Sequence, residues 1–186
     1  VSSMESSGIF DAGRGGVLNL DGEVELDCGI MCGRSLDYGA VVGVKRIENP
    51  VSLARFILES SDGSARILSR EGAEKIAGKN GFSLVENDQL VCERERSRYR
   101  ELLRKLENYH TSHPFLPSDD VPRGTVGCVA RDRAGGLAAA TSTGGTPMRP
   151  AGRVGDSALP GAGYYASGSA ACSATGWGEA ITASLL

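Results

Sequence analysis

The sequence predicts an α+β domain, in which strands and helices contribute to one core. Its 186 residues are 40% hydrophobic and carry no extreme of charge, which is enough apolar material for one compact domain. Short β-like runs between glycine turns occupy the first 48 residues and return after residue 124. Between these two regions, apolar side chains recur at helical spacing.

The first strands are predicted near the beginning of the chain. The runs 16–20 and 23–27 flank Asp21-Gly22, a dipeptide that supplies the positive φ angles of a tight turn, so a hairpin is expected. Residues 38–44 predict another strand, buried on both faces, because the run is apolar without alternation. A shorter strand is expected at 65–68.

Three helices are predicted in the middle of the chain. Asn49 as N-cap and Pro50 at the first helical position begin one helix, and its apolar residues continue to Leu58. Residues 71–79 predict a second helix that Gly81 would end. Residues 92–109 are highly charged with a thin apolar stripe, which is typical of a helix on the protein surface.

Residues 110–123 are expected to form an exposed linker, because three prolines stand among serines and aspartates. Such linkers are where chain cutting concentrates. Two apolar runs follow, at 125–130 and at 137–143. The first of them is expected to form a buried strand. The two runs flank a loop with two glycines and predict a hairpin that brings Thr143 beside Thr125. After a last apolar stretch at 168–173, a helix is expected from Glu179.

Glycine is about twice as frequent as usual, with 26 residues in the chain. Half of these glycines lie between Gly124 and Gly178. The second half of the chain is therefore where the backbone is expected to turn tightly or to approach a ligand closely.

The composition argues against several classes of function. A net charge of -3 argues against nucleic acid or an anionic membrane as a partner. No apolar run is long enough to cross a bilayer and the beginning lacks a signal pattern, so a cytoplasmic location is expected. The five cysteines are an odd, scattered set that favours free thiols, and Cys28 and Cys32 lack the second pair that a metal site needs.

Histidine is the usual catalytic base, but the only histidines, His110 and His113, lie in the predicted linker, and no third metal ligand is near them. A threonine freed by chain cutting needs no histidine. Its own α-amine, with a pKa of about 7.7 to 8.0, can accept the proton of its hydroxyl. The alternative, which strand propensity alone favours, is that Thr125 is an ordinary β-branched strand residue without a catalytic role.

A glycine-lined loop at 152–157 places Arg153 and Asp156 three residues apart. Arg153 can hold a carboxylate through two parallel hydrogen bonds and Asp156 can hold an ammonium, so the pair suits a zwitterion. The alternative is a local salt bridge between the two. A phosphate-binding loop is not supported, because no Lys-Ser or Lys-Thr ends the glycine pattern.

Several motifs together resemble the plant-type (type 2) L-asparaginases, also called isoaspartyl peptidases, which are N-terminal nucleophile hydrolases. In the first half they are residues 10–15, 25–27 and 49–55, and in the second half residues 124–127, 141–145, 152–157, 161–163 and 175–179. The resemblance covers the chain almost from end to end.

The resemblance implies a four-layer αββα sandwich, cut autocatalytically between Gly124 and Thr125. Residues 1–124, with the linker at about 110–124, would form an α part, and residues 125–186 a β part. Together they would make one domain, and two processed αβ units would form a homodimer. The family pattern extends before Val1 and well beyond Leu186, so this chain is expected to be truncated at both ends.

The resemblance also implies the reaction. Thr125 would be the nucleophile, Thr143 would tune it, and Thr175 with Gly176 would form the oxyanion hole. The substrates would be L-asparagine and isoaspartyl dipeptides, hydrolysed through an aspartyl-threonine ester. Glycosylasparaginase or threonine endopeptidase activity is the alternative within the fold, and an inactive fragment that acts as an interaction module is the alternative outside it.

Substrate and ion contacts follow from the same resemblance. Arg153 would bind the substrate α-carboxylate, Asp156 its α-ammonium, and Gly176 would also contact it. No cofactor is required. A structural sodium ion would be held by the backbone carbonyls of Met4, Glu5, Ser7, Phe10, Ala12 and Arg14. One departure is Asp11, where the family usually has an asparagine thought to help the cleavage site, so its carboxylate is expected to slow maturation.

Overall fold

The computed structural model describes residues 1–60, 63–108 and 124–185. Its centre is a five-stranded sheet with the strand order β3-β2-β1-β5-β4. The β2 and β3 strands are parallel and the other neighbours are antiparallel. The strands are β1 (Leu26–Cys32), β2 (Tyr38–Val44), β3 (Ile67–Ser69), β4 (Val126–Arg131) and β5 (Leu137–Thr143).

A second sheet pairs β6 (Tyr164–Ala166) with β7 (Ala171–Ser173). The helices are α1 (Ser2–Ser6), α2 (Pro50–Glu59), α3 (Arg70–Lys79), α4 (Asn87–Leu90), α5 (Glu93–Asn108) and α6 (Gly178–Ser184), and Asp156–Ala158 form one turn of 3-10 helix. No helix in the described part of the chain combines the length and the apolar composition that crossing a membrane requires.

The main core lies between the sheet and α2, which packs on β1 and β2. The buried face of α2 includes Leu53, Ala54 and Ile57. The helix approaches the sheet at Gly39, where a Cβ would stand 2.6 Å from the Leu58 backbone nitrogen. A side chain at this position would push the helix away from the core.

The opposite face of the sheet is covered by β6 and β7. Tyr164 of β6 is fully buried, and its ring occupies the space over Gly29 that a Cβ would need. The described residues therefore form a helical layer, a five-stranded sheet and a smaller second sheet. The predicted mixed α+β class is confirmed.

Most predicted elements are present. The strand at Tyr38–Val44 has the predicted bounds, α2 begins at Pro50 after Asn49, and α3 and α5 cover the predicted helices. The Asn49 side chain does not cap α2 but donates to the Ser6 hydroxyl, 2.9 Å away. The second hairpin is confirmed as β4 and β5, with Val126 opposite Ser142.

The predicted hairpin at 16–27 is wrong. Only one isolated bridge, between Leu18 and Val24, joins its two arms, and the strand that enters the sheet begins at Leu26. The reason is that side chains replace a strand partner. The Asp11 carboxylate accepts the Val17 N–H at 2.9 Å, and the Glu25 carbonyl accepts a hydrogen bond from Arg149 at 2.5 Å, so these two backbone groups do not pair with each other.

The expectation that residues 125–130 form a buried strand is also wrong. Residues 127–131 of β4 are exposed, and Val129 retains half of its accessible surface. In the sheet, β4 pairs with β5 on one side and with no strand of the described chain on the other. The predicted linker, with His110 and His113, lies outside the described residues.

Candidate active site

The predicted neighbours Thr125 and Thr143 meet at one end of the β4–β5 hairpin. The Thr125 hydroxyl donates to the Thr143 hydroxyl over 3.0 Å. The Gly145 backbone N–H donates to the same Thr143 oxygen, also over 3.0 Å. Since Thr143 is only 4% exposed, these two bonds fix its hydroxyl and orient the half-buried Thr125 against it.

A cavity of about 270 Å³ opens beside Thr125. A Cβ added to Gly124 would stand 3.5 Å from the Thr175 hydroxyl, so Thr175 lies close to the Gly124–Thr125 bond. The structure thus brings together three of the predicted residues, Thr125, Thr143 and Thr175. The cavity is lined by Thr125, Gly127, Cys128, Val129, Ser173, Ala174 and Thr175.

A contact between the two sheets positions Thr175, and sequence reasoning missed it. The Thr141 hydroxyl donates to the Gly163 carbonyl at 2.7 Å and shares a 2.6 Å hydrogen bond with the Ser173 hydroxyl. Ser173 in turn fills the space over Gly127, where a Cβ would overlap its hydroxyl. These contacts hold β7 against β4 and β5, two residues before Thr175.

Gly176 follows Thr175, and a Cβ on it would stand 3.3 Å from Cδ1 of Ile181 in α6. The predicted contribution of its backbone to an oxyanion hole stays a prediction. Gly178 is three residues beyond Thr175, so the chain limits their separation to about 11 Å. This short segment connects the site formed by Thr125, Thr143 and Thr175 to the loop that carries Arg153.

Arg153 forms an ion pair with Glu179 of α6, not with Asp156. Its Nε and Nη2 atoms lie 2.8 and 2.7 Å from Glu179 Oε1. The alternative of a local Arg153–Asp156 salt bridge is therefore wrong. Both side chains lie next to Gly178, because a Cβ added to that glycine would stand 2.9 Å from Arg153 Nη2 and from Asp156 Oδ1.

Asp156 is a buried carboxyl group with an unused acceptor. Its side chain is 7% exposed, and Oδ2 has no hydrogen-bond partner in the described structure. Burial raises the pKa of Asp156, while the Arg153 charge acts in the opposite direction. A buried oxygen without a donor is costly, so this group is suited to accept a cationic ligand.

A buried arginine anchors the loop that carries Arg153. Arg149 is 4% exposed and donates to the Arg153 carbonyl at 2.8 Å and to the Glu25 carbonyl at 2.5 Å. The same guanidinium lies 3.4 Å from Asp27 Oδ2, which also accepts the Gly155 N–H at 3.2 Å. The loop is therefore fixed to the beginning of β1 by charge-assisted hydrogen bonds.

The pKa values of the two carboxyl groups in this network, Glu25 and Asp27, are shifted in opposite directions. Burial raises the pKa of Asp27, although Arg149 opposes the shift. Burial also acts to raise the pKa of Glu25, but hydrogen bonds from Gly152 and Asn19 and the Arg149 charge outweigh it, so the net shift is downward. Sequence reasoning missed this network. The available signal was Glu25 and Asp27, two acids on one face of an apolar run that need a cation.

Asp11 packs against Gly144, which follows Thr143 in the chain. Its Oδ1 accepts the Val17 N–H at 2.9 Å, and its carbonyl accepts the Gly144 N–H at 3.0 Å. A Cβ at Gly144 would overlap the Asp11 carboxyl group. Burial raises the pKa of Asp11 to about 7, opposed by the Val17 hydrogen bond and assisted by the Glu95 charge.

Some of the predicted sodium ligands already accept hydrogen bonds in this structure. Both lone pairs of the Met4 carbonyl are engaged, by the Ser7 N–H at 3.3 Å and the Ser7 hydroxyl at 2.7 Å. The Glu5 carbonyl accepts the Arg14 N–H at 2.8 Å. Arg94 also donates to the Gly8 carbonyl at 2.9 Å, which places a positive charge beside the loop. A sodium ion held by the predicted backbone carbonyls stays a prediction.

Other metal chemistry has no support among the described side chains, where no three His, Cys, Asp or Glu residues are grouped as ligands. Each of the five cysteines is a free thiol, and Cys28 is buried while Cys128 is exposed at the cavity. Burial raises the pKa of the Cys28 thiol well above its usual value, so it is an inert core residue.

A known protein family matches the chain over its whole sequence. The family model Asparaginase_2, described as asparaginase, matches residues 1–186. The isoaspartyl peptidase/L-asparaginase of Xenopus laevis is 44% identical over 179 residues, which are 96% of this chain and 55% of the relative.

Two relatives from prokaryotes are similar to the chain over its full length. The isoaspartyl peptidase of Salmonella typhimurium is 42% identical over 189 residues, 100% of this chain and 59% of the relative. The plant-type L-asparaginase of Pyrobaculum calidifontis is 42% identical over 189 residues, 100% of this chain and 60% of the relative. The chain thus spans a little over half the length of the curated relatives that it matches.

Proposed function

The chain belongs to the asparaginase family whose model matches it over residues 1–186, and on this premise we propose that the whole protein is an autoprocessed threonine amidohydrolase. Its substrates are L-asparagine and β-aspartyl peptides, and Thr125 is the nucleophile. The observation that carries the proposal is the 3.0 Å hydrogen bond from Thr125 to Thr143, beside Thr175 and the Gly124–Thr125 bond.

Maturation begins with attack of Thr125 Oγ1 on the carbonyl carbon of Gly124. The bond between that carbon and the Thr125 nitrogen breaks, an ester forms, and the released nitrogen takes the hydroxyl proton. Water then hydrolyses the ester and leaves Thr125 with a free α-amine. The contact with Thr143 supports this step, because it holds the hydroxyl in one orientation before the chain is cut.

In the mature protein, the α-amine of Thr125 serves as the base for its own hydroxyl. Oγ1 attacks the side-chain carbonyl of the substrate, and ammonia or the amine of the next amino acid leaves with the proton. The resulting aspartyl-threonine ester is hydrolysed by water. The Thr175 hydroxyl and the Gly176 backbone stabilise the negative charge on the tetrahedral intermediates.

Arg153 and Asp156 select the α-carboxylate and α-ammonium of the substrate. Support comes from Asp156, whose buried Oδ2 has no donor in the described structure. Arg153 contacts Glu179 through Nε and Nη2, so within the described part of the chain the Nη1 side of the guanidinium remains for a carboxylate. The buried Arg149 supports this arrangement by holding the Arg153 carbonyl.

The finer architecture belongs to the same proposal. The described helical layer and two sheets are part of the four-layer αββα sandwich expected of the whole protein, and two processed αβ units form a homodimer. The exposed strand β4, which has no outer partner among the described strands, supports further chain packing on this side.

Chain cutting is the first experiment. The full-length protein should separate on denaturing electrophoresis into two fragments, and sequencing should give Thr125 as a new N-terminus. Thr125→Ala should remain a single chain and release no ammonia from asparagine. Thr182→Ala, a threonine change on α6, is the matched control and should be cut normally.

Two outcomes contradict the proposal. Ammonia release by Thr125→Ala would exclude Thr125 as the nucleophile. A wild-type protein that stays uncut after long incubation would exclude autoprocessing and would favour an interaction module. Thr125→Ser, which keeps a hydroxyl and an amine, should retain measurable cutting and activity.

A further inference from the structure

We propose that Glu179 is a positioning residue that keeps Arg153 and Asp156 apart, so that both charges remain available to a zwitterionic substrate. The inference rests on the proposed function. It adds a role for a side chain that touches no reacting group and lies on a separate element, α6.

Arg153 and Asp156 are close enough to pair. Arg153 Nη2 and Asp156 Oδ1 each lie 2.9 Å from one point, the position of an added Gly178 Cβ. A modest rotation of the arginine side chain would bring them into contact across that point. In a partly buried loop, the attraction between opposite charges exceeds its value in water. An unrestrained Arg153 would therefore close on Asp156, and both substrate-binding charges would be lost.

Glu179 opposes this closure through its geometry. A single oxygen, Oε1, accepts hydrogen bonds from Arg153 Nε at 2.8 Å and from Nη2 at 2.7 Å. Contact at the side of the guanidinium fixes its plane and leaves Nη1 without a bonded partner among the described residues. Burial acts to raise the pKa of Glu179, but the hydrogen bond and charge of Arg153 outweigh it and lower the net pKa, so the carboxylate is ionised at neutral pH.

The position of α6 makes Glu179 suited to this role. Glu179 is in the first turn of the helix, directly after Gly178, and α6 packs on the 3-10 turn that begins with Asp156. Glu179 and Asp156 therefore lie on two elements that pack against each other, and both are near the Arg153 guanidinium. Arg153 is 17% exposed and Glu179 is 45% exposed. The pair is thus at the edge of the loop, where a substrate can reach the guanidinium from solvent.

The test compares two substrates of the full-length protein. L-asparagine carries both charges, and N-acetyl-L-asparagine α-amide carries neither. Glu179→Ala should raise the KM for asparagine about tenfold or more, with kcat changed by less than about twofold. For the uncharged analogue, kcat/KM should be unchanged. Glu179→Asp keeps the charge on a shorter side chain and should restore part of the asparagine KM.

A double variant tests the mechanism. When Asp156→Asn removes the competing charge, Arg153 has no partner to close on. Adding Glu179→Ala should then change the asparagine KM by less than about twofold. Glu71→Ala, an exposed glutamate in the first turn of α3, is the matched control and should leave both substrates unaffected. Chain cutting and melting temperature, measured for each variant, report its fold.

The outcomes separate the inference from the proposed function. Equal losses with both substrates would give Glu179 a structural role and overturn the inference. An unchanged asparagine KM in Glu179→Ala would overturn it too. A wild-type protein that hydrolyses neither substrate would overturn the proposed function, and this inference with it.

Discussion

The hydroxyl of Thr125 donates to the hydroxyl of Thr143 across the end of an antiparallel strand pair, with 3.0 Å between the oxygens. Val126 and Ser142 are paired in the sheet, so the contact follows from the register of β4 and β5. This hydrogen bond is already present in the uncut chain. It needs only the hairpin and the Gly145 N–H, which holds the Thr143 oxygen from the other side.

Thr143→Val should therefore slow chain cutting by about a hundredfold, since the isosteric change removes the group that orients Thr125. Thr143→Ser keeps the hydroxyl and should be cut at nearly the wild-type rate. The measurement is the uncut fraction over time on denaturing gels. Equal rates for the valine and serine variants would show that the hydrogen bond is not used.

This contact could be predicted from sequence because all its determinants are local. Two apolar runs flank a short glycine-containing loop, and counting residues back along the hairpin pairs position 143 with position 125. The strand's exposure could not be predicted in the same way. The composition of β4 suits a buried strand, but burial depends on which chain packs on its outer edge.

The other errors and omissions involve residues far apart in sequence. The hairpin predicted at 16–27 fails because Arg149, 124 positions away, takes the Glu25 carbonyl that would pair with Val17. Arg149 and Asp27 are separated by 122 positions, and no local pattern connects them. Both are side-chain contacts that topology creates, so propensity and periodicity carry no information about them.

Gly127→Ala should damage the site from the neighbouring sheet. The added Cβ would overlap the Ser173 hydroxyl and push β7, with Thr175, away from Thr125. We expect about a hundredfold slower cutting, because displacement of a catalytic group by about 1 Å has an effect of that size.

The companion change is Ser173→Gly in the same chain. It removes the overlapping hydroxyl and should restore part of the rate that Gly127→Ala loses. If the double variant is as slow as the single one, the defect does not arise from the Ser173 contact, and strand flexibility at position 127 is the better explanation.

Arg149→Met should strongly destabilise the protein. It leaves Asp27 buried without its cation, while Glu25 keeps Lys45 and Arg70, and breaking a buried pair in this way costs about 3 to 5 kcal/mol of unfolding free energy. Urea denaturation measures the loss. The matched control is Arg55→Met, because the Arg55–Glu59 pair is exposed on both sides and should contribute less than about 1 kcal/mol. A loss of similar size in both variants would contradict the network's role.

Asp11 should make stability depend on pH in the direction opposite to an ordinary ion pair. Its pKa rises from 3.8 to about 7 on folding, so the folded state holds a proton that the unfolded chain has released between these values. The stabilisation is complete below pH 3.8 and is lost as pH rises through 7. Each pH unit in that window lowers the unfolding free energy by about 1.4 kcal/mol for one such group.

Asp11→Asn removes this titration while keeping an oxygen that can accept the Val17 N–H. The variant should match the wild type near pH 4 and exceed it at pH 8, as measured by urea denaturation at each pH. Asp21→Asn makes the same charge change on an exposed loop and should leave the pH profile unaltered. Glu5, whose pKa burial raises to about 7, supplies a similar slope that persists in Asp11→Asn. Parallel wild-type and Asp11→Asn profiles would show that the Asp11 carboxyl does not titrate on folding.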